Sequence, residues 1–260
     1  MGHWINNQLH DFTEENFNLL IEHKIPALIM RDFATKEVCS VVANRLEQLN
    51  FQNYDHLKDI PVHQVGLCHN QWANEPPSVY FSKKEEAQKT IDQIYEGLDI
   101  NPVHDVIEYL AKNCNRQVGV FEEPGYGPYF AGAFRSFKGH GKLHVDHAPS
   151  HINKPCAVTT ITKQFTWNIY YSLQGEGGEL VIYDTCHTPL NEKQKVPGDY
   201  YFPYSVLESE DCIRIKPRVG DLIMFNTQNF HEILGNQNAT RISQTSFVGL
   251  KEDGSLHLWS

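Results

Sequence analysis

No apolar run in the chain approaches the ~18 residues that a membrane span requires. The first residues, Met1-Gly2-His3-Trp4-Ile5-Asn6-Asn7, have neither the basic start nor the apolar stretch of a secretory leader. A soluble, cytoplasmic protein is therefore expected, with no membrane partner. Cysteine is sparse: the six residues are widely spread and form no Cys-x-x-Cys pair, which argues against a zinc knuckle or dithiol motif and for free thiols. Basic residues are in deficit, 22 against 32 acidic, giving a formal charge of −10. That sign repels phosphate backbones and anionic headgroups, so no nucleic acid is expected and a small molecule is the default partner. Tandem repeats and low-complexity tracts are also missing. Gly125 and Gly127 are not followed by a strand-to-helix transition, so they do not form a phosphate cradle.

What remains is 260 residues, 40% of them hydrophobic, enough for one sizeable core and for a single domain spanning 1–260. The first 115 residues read as mostly helical support. Phe17, Leu20 and Ile21 give helical spacing over 12–24, with Asp11 as a plausible cap, and Ala27–Met30 is strand-like. Thr35 caps a second helix carrying Val38, Val42 and Leu46. Residues 51–81 show little periodicity and suggest an irregular segment near a site mouth. Ser82-Lys83-Lys84-Glu85 has capping-box spacing ahead of a third helix, and Asn101-Pro102 opens a fourth. From 117 the texture changes to short β-rich runs punctuated by Gly, Pro and Asn. The expected class is α+β: a double-stranded β-helix, jelly-roll or cupin-like, over 116–260, with helices packed on one sheet. The break at 185–211, with Tyr200, Tyr201, Phe202 and Tyr204, is long for a compact domain and reads as a lid or an excursion.

The chemistry lies between Gly141 and Arg241. His144 and Asp146 are two apart, so on an extended strand both side chains leave from one face. His231 follows 87 residues later (231 − 144) and comes from another strand. Two imidazoles and one carboxylate leave about three of six octahedral positions open, the ligand set of non-haem Fe(II) oxygenases. Arg241 lies ten residues after His231 (241 − 231), with Ser243 on the same face. A guanidinium fork beside a hydroxyl suits the far end of a dicarboxylate.

His144-x-Asp146, His231 and Arg241-x-Ser243 together resemble the iron(II)/2-oxoglutarate-dependent dioxygenases. The runs Gly177-Gly178-Glu179-Leu180-Val181-Ile182-Tyr183-Asp184 and Pro217-Arg218-Val219-Gly220-Asp221-Leu222-Ile223-Met224-Phe225-Asn226, with Leu258-Trp259-Ser260, narrow the resemblance. They are similar to the subgroup of halogenases acting on free, lysine-type amino acids and on hapalindole-type alkaloids, together with its hydroxylase relatives. The motifs match over roughly 128–260; before that the likeness is general. The resemblance implies Fe(II), 2-oxoglutarate as co-substrate and dioxygen (O2), with His144, Asp146 and His231 as metal ligands and catalytic centre, and Arg241 and Ser243 binding 2-oxoglutarate. The halogenases have glycine where this chain has Asp146, leaving a position for chloride. The departure implies hydroxylation of an unactivated C–H rather than halogenation, on a free amino acid such as lysine.

Further candidates are weaker. Asn168 and Tyr170 share a face of the run 165–173, and Asn168 is either a satisfied core residue or a hydrogen-bond donor to 2-oxoglutarate or substrate. Arg135 could pair with a substrate carboxylate or form a structural ion pair. Glu122 and Glu123, ahead of Tyr129, could meet a cationic side chain or simply be solvated. His140, His144, His147 and His151 have helical spacing and invite a zinc-cluster reading, but Gly139, Gly141 and Pro149 argue against a helix and leave His140, His147 and His151 as loop or rim residues. Trp259 reads as core. Alternatives kept open are oxygenation of another natural-product or nucleoside intermediate, desaturation or cyclisation, a non-catalytic cupin-like metal binder, a zinc hydrolase, and a homodimer as well as a monomer.

Overall fold

The computed structural model describes residues 3–49, 52–53, 62–235, 238 and 240–260. The irregular segment expected at 51–81 falls partly outside the described residues. Its described part includes a short strand, Val62–Val65, and a single 3-10 turn at His69–Gln71.

Helix α1, Glu14–Ile21, is capped by Thr13, whose hydroxyl accepts from Asn16 N. Asp11, the expected cap, instead ends a short strand, Leu9–Asp11, that runs parallel to β1, Ala27–Met30. Helix α2, Lys36–Glu47, starts at Thr35 as its spacing implies. Helix α3 spans Pro77–Tyr95 and begins five residues before Ser82 (82 − 77). Proline at the first turn opens the helix there, and the Ser82 hydroxyl bonds back to Val79 O at 2.8 Å rather than capping. Helix α4, Pro102–Cys114, is capped by Asn101.

The β region contains β2, Ala133–Lys138; β3, Gly141–His144; β4, Lys163–Gln174; β5, Gly177–Cys186; β6, Cys212–Ile215; β7, Leu222–Asn226; β8, Asn229–Gly235; β9, Thr240–Leu250; and β10, Leu256–Trp259. The larger sheet runs β1-β7-β4-β9-β2, with Val62–Val65 beyond β2 and β10 also paired to β9; the smaller runs β6-β5-β8-β3. Two such sheets around one interior, with helices on the outer face of the larger, form an α+β jelly roll.

Period-2 alternation sorts the side chains. On β4, Phe165, Trp167, Ile169 and Tyr171 join the core beneath the helices, with Val42 and Leu46 of α2. Thr166, Asn168 and Tyr170 face the interior between the sheets. Strand β9 repeats this, with Arg241, Ser243, Thr245 and Phe247 lining the interior. A second core closes one end, where Tyr170, Ile223 and Phe225 of the larger sheet meet Leu180, Ile182 and Ile213 of the smaller. Gly220, before β7, has φ +90°, and a Cβ there would lie 2.3 Å from Ala34 O. Trp259 is buried against Phe121 and Phe247, as expected.

Candidate metal centre

Strand β3 ends at His144, and β8 places His231 directly opposite it in the ladder. The ring centroids are 4.2 Å apart. Each Nδ1 lies against the carbonyl two residues earlier, His144 on Lys142 O at 2.7 Å and His231 on Asn229 O at 2.9 Å. A carbonyl can only accept, so both rings carry their proton on Nδ1 and present the Nε2 lone pair.

Asp146 lies beyond the end of β3, which corrects the expectation that one strand carries both ligands. Thr227 holds both sides of its backbone. Asp146 N donates to Thr227 O at 3.0 Å, and the Thr227 hydroxyl donates to Asp146 O at 2.8 Å. Its Oδ2 is 4.0 Å from His144 Nε2 and 3.7 Å from His231 Nε2. Ligand atoms ~2.1 Å from a shared ion stand ~3–4 Å apart, so the three need little adjustment to hold one.

The electrostatics favour the ligating forms. Burial, reinforced by His144, depresses His231 to about 3 and keeps it neutral. Burial alone would raise Asp146, but His144, His231 and Arg135 outweigh it and hold the carboxyl below its ordinary range.

Arg241, on β9 across the cavity, is 7% exposed. One Nη donates to Gly178 O at 3.3 Å, Nε is buried without a hydrogen-bond partner, and the guanidinium carbon is 5.3 Å from the Tyr170 ring centroid. Among the described residues no carboxylate pairs with it. A buried cation in that state is costly until an anion arrives. Ser243 stands on the same face, 2% exposed. Two imidazoles, a carboxylate and a buried guanidinium on one cavity fit a divalent iron with a dicarboxylate beside it.

Asn168 also lines this cavity, as does Arg135, which pairs with Ser243 across β2 and β9. Glu122, Glu123 and Tyr129 do not. The glutamates form a hairpin with Gly127–Pro128, and Glu123 accepts from Ala157 N at 2.8 Å and from the Tyr129 hydroxyl. Tyr129 is buried among His69, Tyr80 and Phe81. The expectation that these three greet a cationic substrate is therefore corrected: Glu123 and Tyr129 spend their polar atoms on packing the loop before β2, and Glu122 is exposed on the hairpin, away from the residues that line the cavity.

Tyr200 and Asn70 line the cavity without having been singled out for it. The Tyr200 ring packs edge-on to His144 at 5.6 Å, and its hydroxyl accepts from Lys142 N at 3.1 Å. The aromatic run at 200–204 was a usable signal; Asn70, in a stretch without periodicity, gave none. The excursion 185–211 is seated on β3 and β8, with Phe202 N donating to Leu143 O at 2.8 Å and the Tyr204 hydroxyl to Glu232 at 2.6 Å. Within 140–151 a short helix, Ala148–His151, does form despite Pro149, because proline occupies its first turn.

A jelly roll with a two-histidine, one-carboxylate cluster and a buried arginine defines the class of iron(II)/2-oxoglutarate-dependent oxygenases, which use Fe(II), 2-oxoglutarate and dioxygen. Within that class the chain belongs to the family described as carrier-protein-independent halogenase WelO5, which it matches over residues 5–260. It is similar to leucinostatins biosynthesis cluster protein S of Purpureocillium lilacinum, 28% identical over 215 residues covering 77% of this chain and 86% of that protein. It is also similar to L-gamma-glutamyl-L-propargylglycine hydroxylase of Streptantibioticus cattleyicolor, 24% identical over 204 residues, 77% and 75% of the two chains. Among solved structures, an N-substituted L-amino acid dioxygenase from Burkholderia ambifaria superposes with a TM-score of 0.59 at 16% identity, covering 95% of this chain and 91% of that one. HygX from Streptomyces hygroscopicus, bound to nickel and 2-oxoglutarate, gives 0.50 at 12% identity, covering 92% and 87%.

Proposed function

We propose that this enzyme hydroxylates an unactivated C–H bond of a small amino-acid-type molecule. His144 Nε2, His231 Nε2 and an Asp146 oxygen hold iron(II), and Arg241 with Ser243 receives the far carboxylate of 2-oxoglutarate, with Asn168 beside it. The observation that carries this reading is Arg241: a buried guanidinium with no acid paired to it among the described residues, on the same cavity as the three ligand atoms. When bound, the iron with 2-oxoglutarate and dioxygen supplies the oxidising power for C–H cleavage. The chain's own work is positional. The carbonyls of Lys142 and Asn229 fix the imidazole tautomers, Thr227 holds the Asp146 backbone, and the Tyr200 ring covers one side of His144.

Asp146 stands where the family's halogenases have glycine. A carboxylate there takes the position a chloride would need, which supports hydroxylation. Purified enzyme turned over with chloride present is expected to give only hydroxylated product; a chlorinated product contradicts this part of the reading.

The substrate class rests on Arg135, a guanidinium facing the cavity that suits a carboxylate, and on the hydroxylase relative, whose name specifies an amino-acid-derived substrate. A free amino acid such as lysine is the first candidate. Its α-carboxylate would be held by Arg135. Among the described residues no glutamate lines the cavity, so recognition of a cationic side chain has no separate support there. The test is an anaerobic binding screen of free and N-substituted amino acids against the Fe(II)/2-oxoglutarate enzyme, then oxygen and mass analysis. A product 16 mass units heavier, with equivalent succinate, supports the proposal; succinate release independent of every amino acid tested sinks it.

A further inference from the structure

A second group of metal-ligand atoms lies outside the iron cluster. His151 Nε2, His187 Nε2 and a Glu192 carboxylate oxygen all lie within 4.8 Å of one another. His187 Nε2 is 2.7 Å and His151 Nε2 3.7 Å from the same oxygen, Glu192 Oε2. Tetrahedral zinc, with ligands at ~2.0–2.2 Å, sets them ~3.3 Å apart, between those two distances.

The three side chains are held by separate, independently anchored pieces of backbone. His151 ends the turn Ala148–His151, which is pinned where Ala148 N donates to Gln164 Oε1 at 2.7 Å. His187 N donates to Gln228 O at 2.7 Å, and its ring is only 4% exposed. Glu192 closes the turn Pro189–Glu192, which Thr188 and Asn191 cap reciprocally. His151 Nε2 is buried and has no hydrogen-bond partner, and neither has the neighbouring His147 Nε2, whose ring centroid is 6.2 Å from that of His187. A buried imidazole nitrogen in that condition needs a proton donor or a cation. Lys195 Nζ, 3.8 Å from Glu192 Oε1, occupies the other side of the carboxylate and leaves Oε2 to the histidines.

We propose that His151, His187 and Glu192 form a second metal site, selective for a borderline divalent cation of the zinc type, with His147 or water in the fourth position. Two imidazoles and a carboxylate are a zinc-type donor set, and the ordinary affinity order places Zn²⁺ above Fe²⁺ at such ligands. The site joins the turn that follows Asp146 to the start of the excursion over the cavity, so a bound ion cross-links the two without entering the iron cluster. The inference does not depend on the reaction proposed above.

The test uses the full chain carrying H144A and H231A, which removes the iron ligands, with Zn²⁺ and Co²⁺ as probes. One zinc per chain is expected after dialysis, and Co²⁺ should give the intense visible absorption of a four-coordinate ion. E192Q, which keeps a hydrogen-bonding partner for His187, should weaken zinc at least tenfold while circular dichroism and the melting profile stay unchanged. K195M should tighten it several-fold by removing a nearby positive charge. If the double variant does not fold, the unaltered chain is used, and its zinc count should fall from two to one with E192Q. A folded double variant that retains no zinc overturns the proposal, as does zinc binding insensitive to both H187A and E192Q.

Discussion

At Arg241, ligand-free stability and co-substrate binding pull in opposite directions. A guanidinium 7% exposed, with no acid partner among the described residues, destabilises the ligand-free protein, while the same charge is what a bound dicarboxylate needs. Arg241→Met should therefore raise the melting temperature of the ligand-free protein, by the equivalent of about 1–3 kcal/mol. It should also weaken 2-oxoglutarate binding to the anaerobic iron(II) enzyme by at least about 100-fold, or ~3 kcal/mol. Calorimetric titration and thermal melting of the same preparation check both; a variant that melts lower and binds 2-oxoglutarate normally would make Arg241 a structural residue. The candidate ligands were legible in the sequence because residue type and spacing together mark them: a His-x-Asp pair, a distant His231, and Arg241-x-Ser243 ten residues beyond it. Glu122, Glu123 and Tyr129 were not legible, because whether a carboxylate is solvated, packed or aimed at a ligand depends on Ala157 and on Tyr129's packing neighbours, distant in sequence. The pairing of His151 with His187 and Glu192 was hidden for the same reason.

At the scale of single elements, the turn before β7 and the aromatic cage beneath α3 each make a prediction. Gly220 combines φ +90° with a 2.3 Å approach of any added Cβ to Ala34 O, so Gly220→Ala is strained in backbone and in packing. A loss of about 2–4 kcal/mol by denaturant titration is expected; a loss under about 1 kcal/mol would mean the turn relaxes freely. His69, edge-on to both Tyr80 and Tyr129, is depressed by burial from 6.5 to about 4. The unfolded chain thus binds the extra proton first. The stability this neutral ring contributes is intact above pH 6.5 and lost as pH falls toward 4, up to about 3 kcal/mol. His69→Phe should flatten that part of the stability–pH profile, and a profile parallel to the unaltered protein's would assign the acid sensitivity elsewhere. Elements with a local signature were readable: Thr35 and Asn101 cap as their chemistry dictates, and Ala27–Met30 is a strand. Where two local signals competed, spacing alone did not choose between them: Pro77 opens α3 ahead of Ser82, and Thr13 displaces Asp11. Strand β10 carried no signal apart from Trp259, because its partner β9 is what defines it.

For the whole molecule, the question is whether the helical first 115 residues are an accessory or part of the one core. We propose a single cooperative domain, supported by the shared core in which Phe17, Leu20, Val42 and Leu46 pack with Phe165, Trp167, Ile169 and Met224. All four of those strand residues are fully buried. Removing the helices would expose them at ~1.5–3 kcal/mol each, roughly 6–12 kcal/mol in total. That is comparable with the whole stability of an ordinary domain, ~5–15 kcal/mol. The sheets alone would therefore have no margin, although every proposed iron and 2-oxoglutarate ligand lies on them or, for Asp146, just past the end of β3. The full chain is expected to unfold in one calorimetric transition whose enthalpy equals the van't Hoff value, and the fragment 116–260 to lack cooperative unfolding and to aggregate through the uncovered face of the larger sheet. Two resolved transitions in the full chain, or a soluble fragment that binds Fe(II) and 2-oxoglutarate as the intact protein does, would separate the helical layer from the domain.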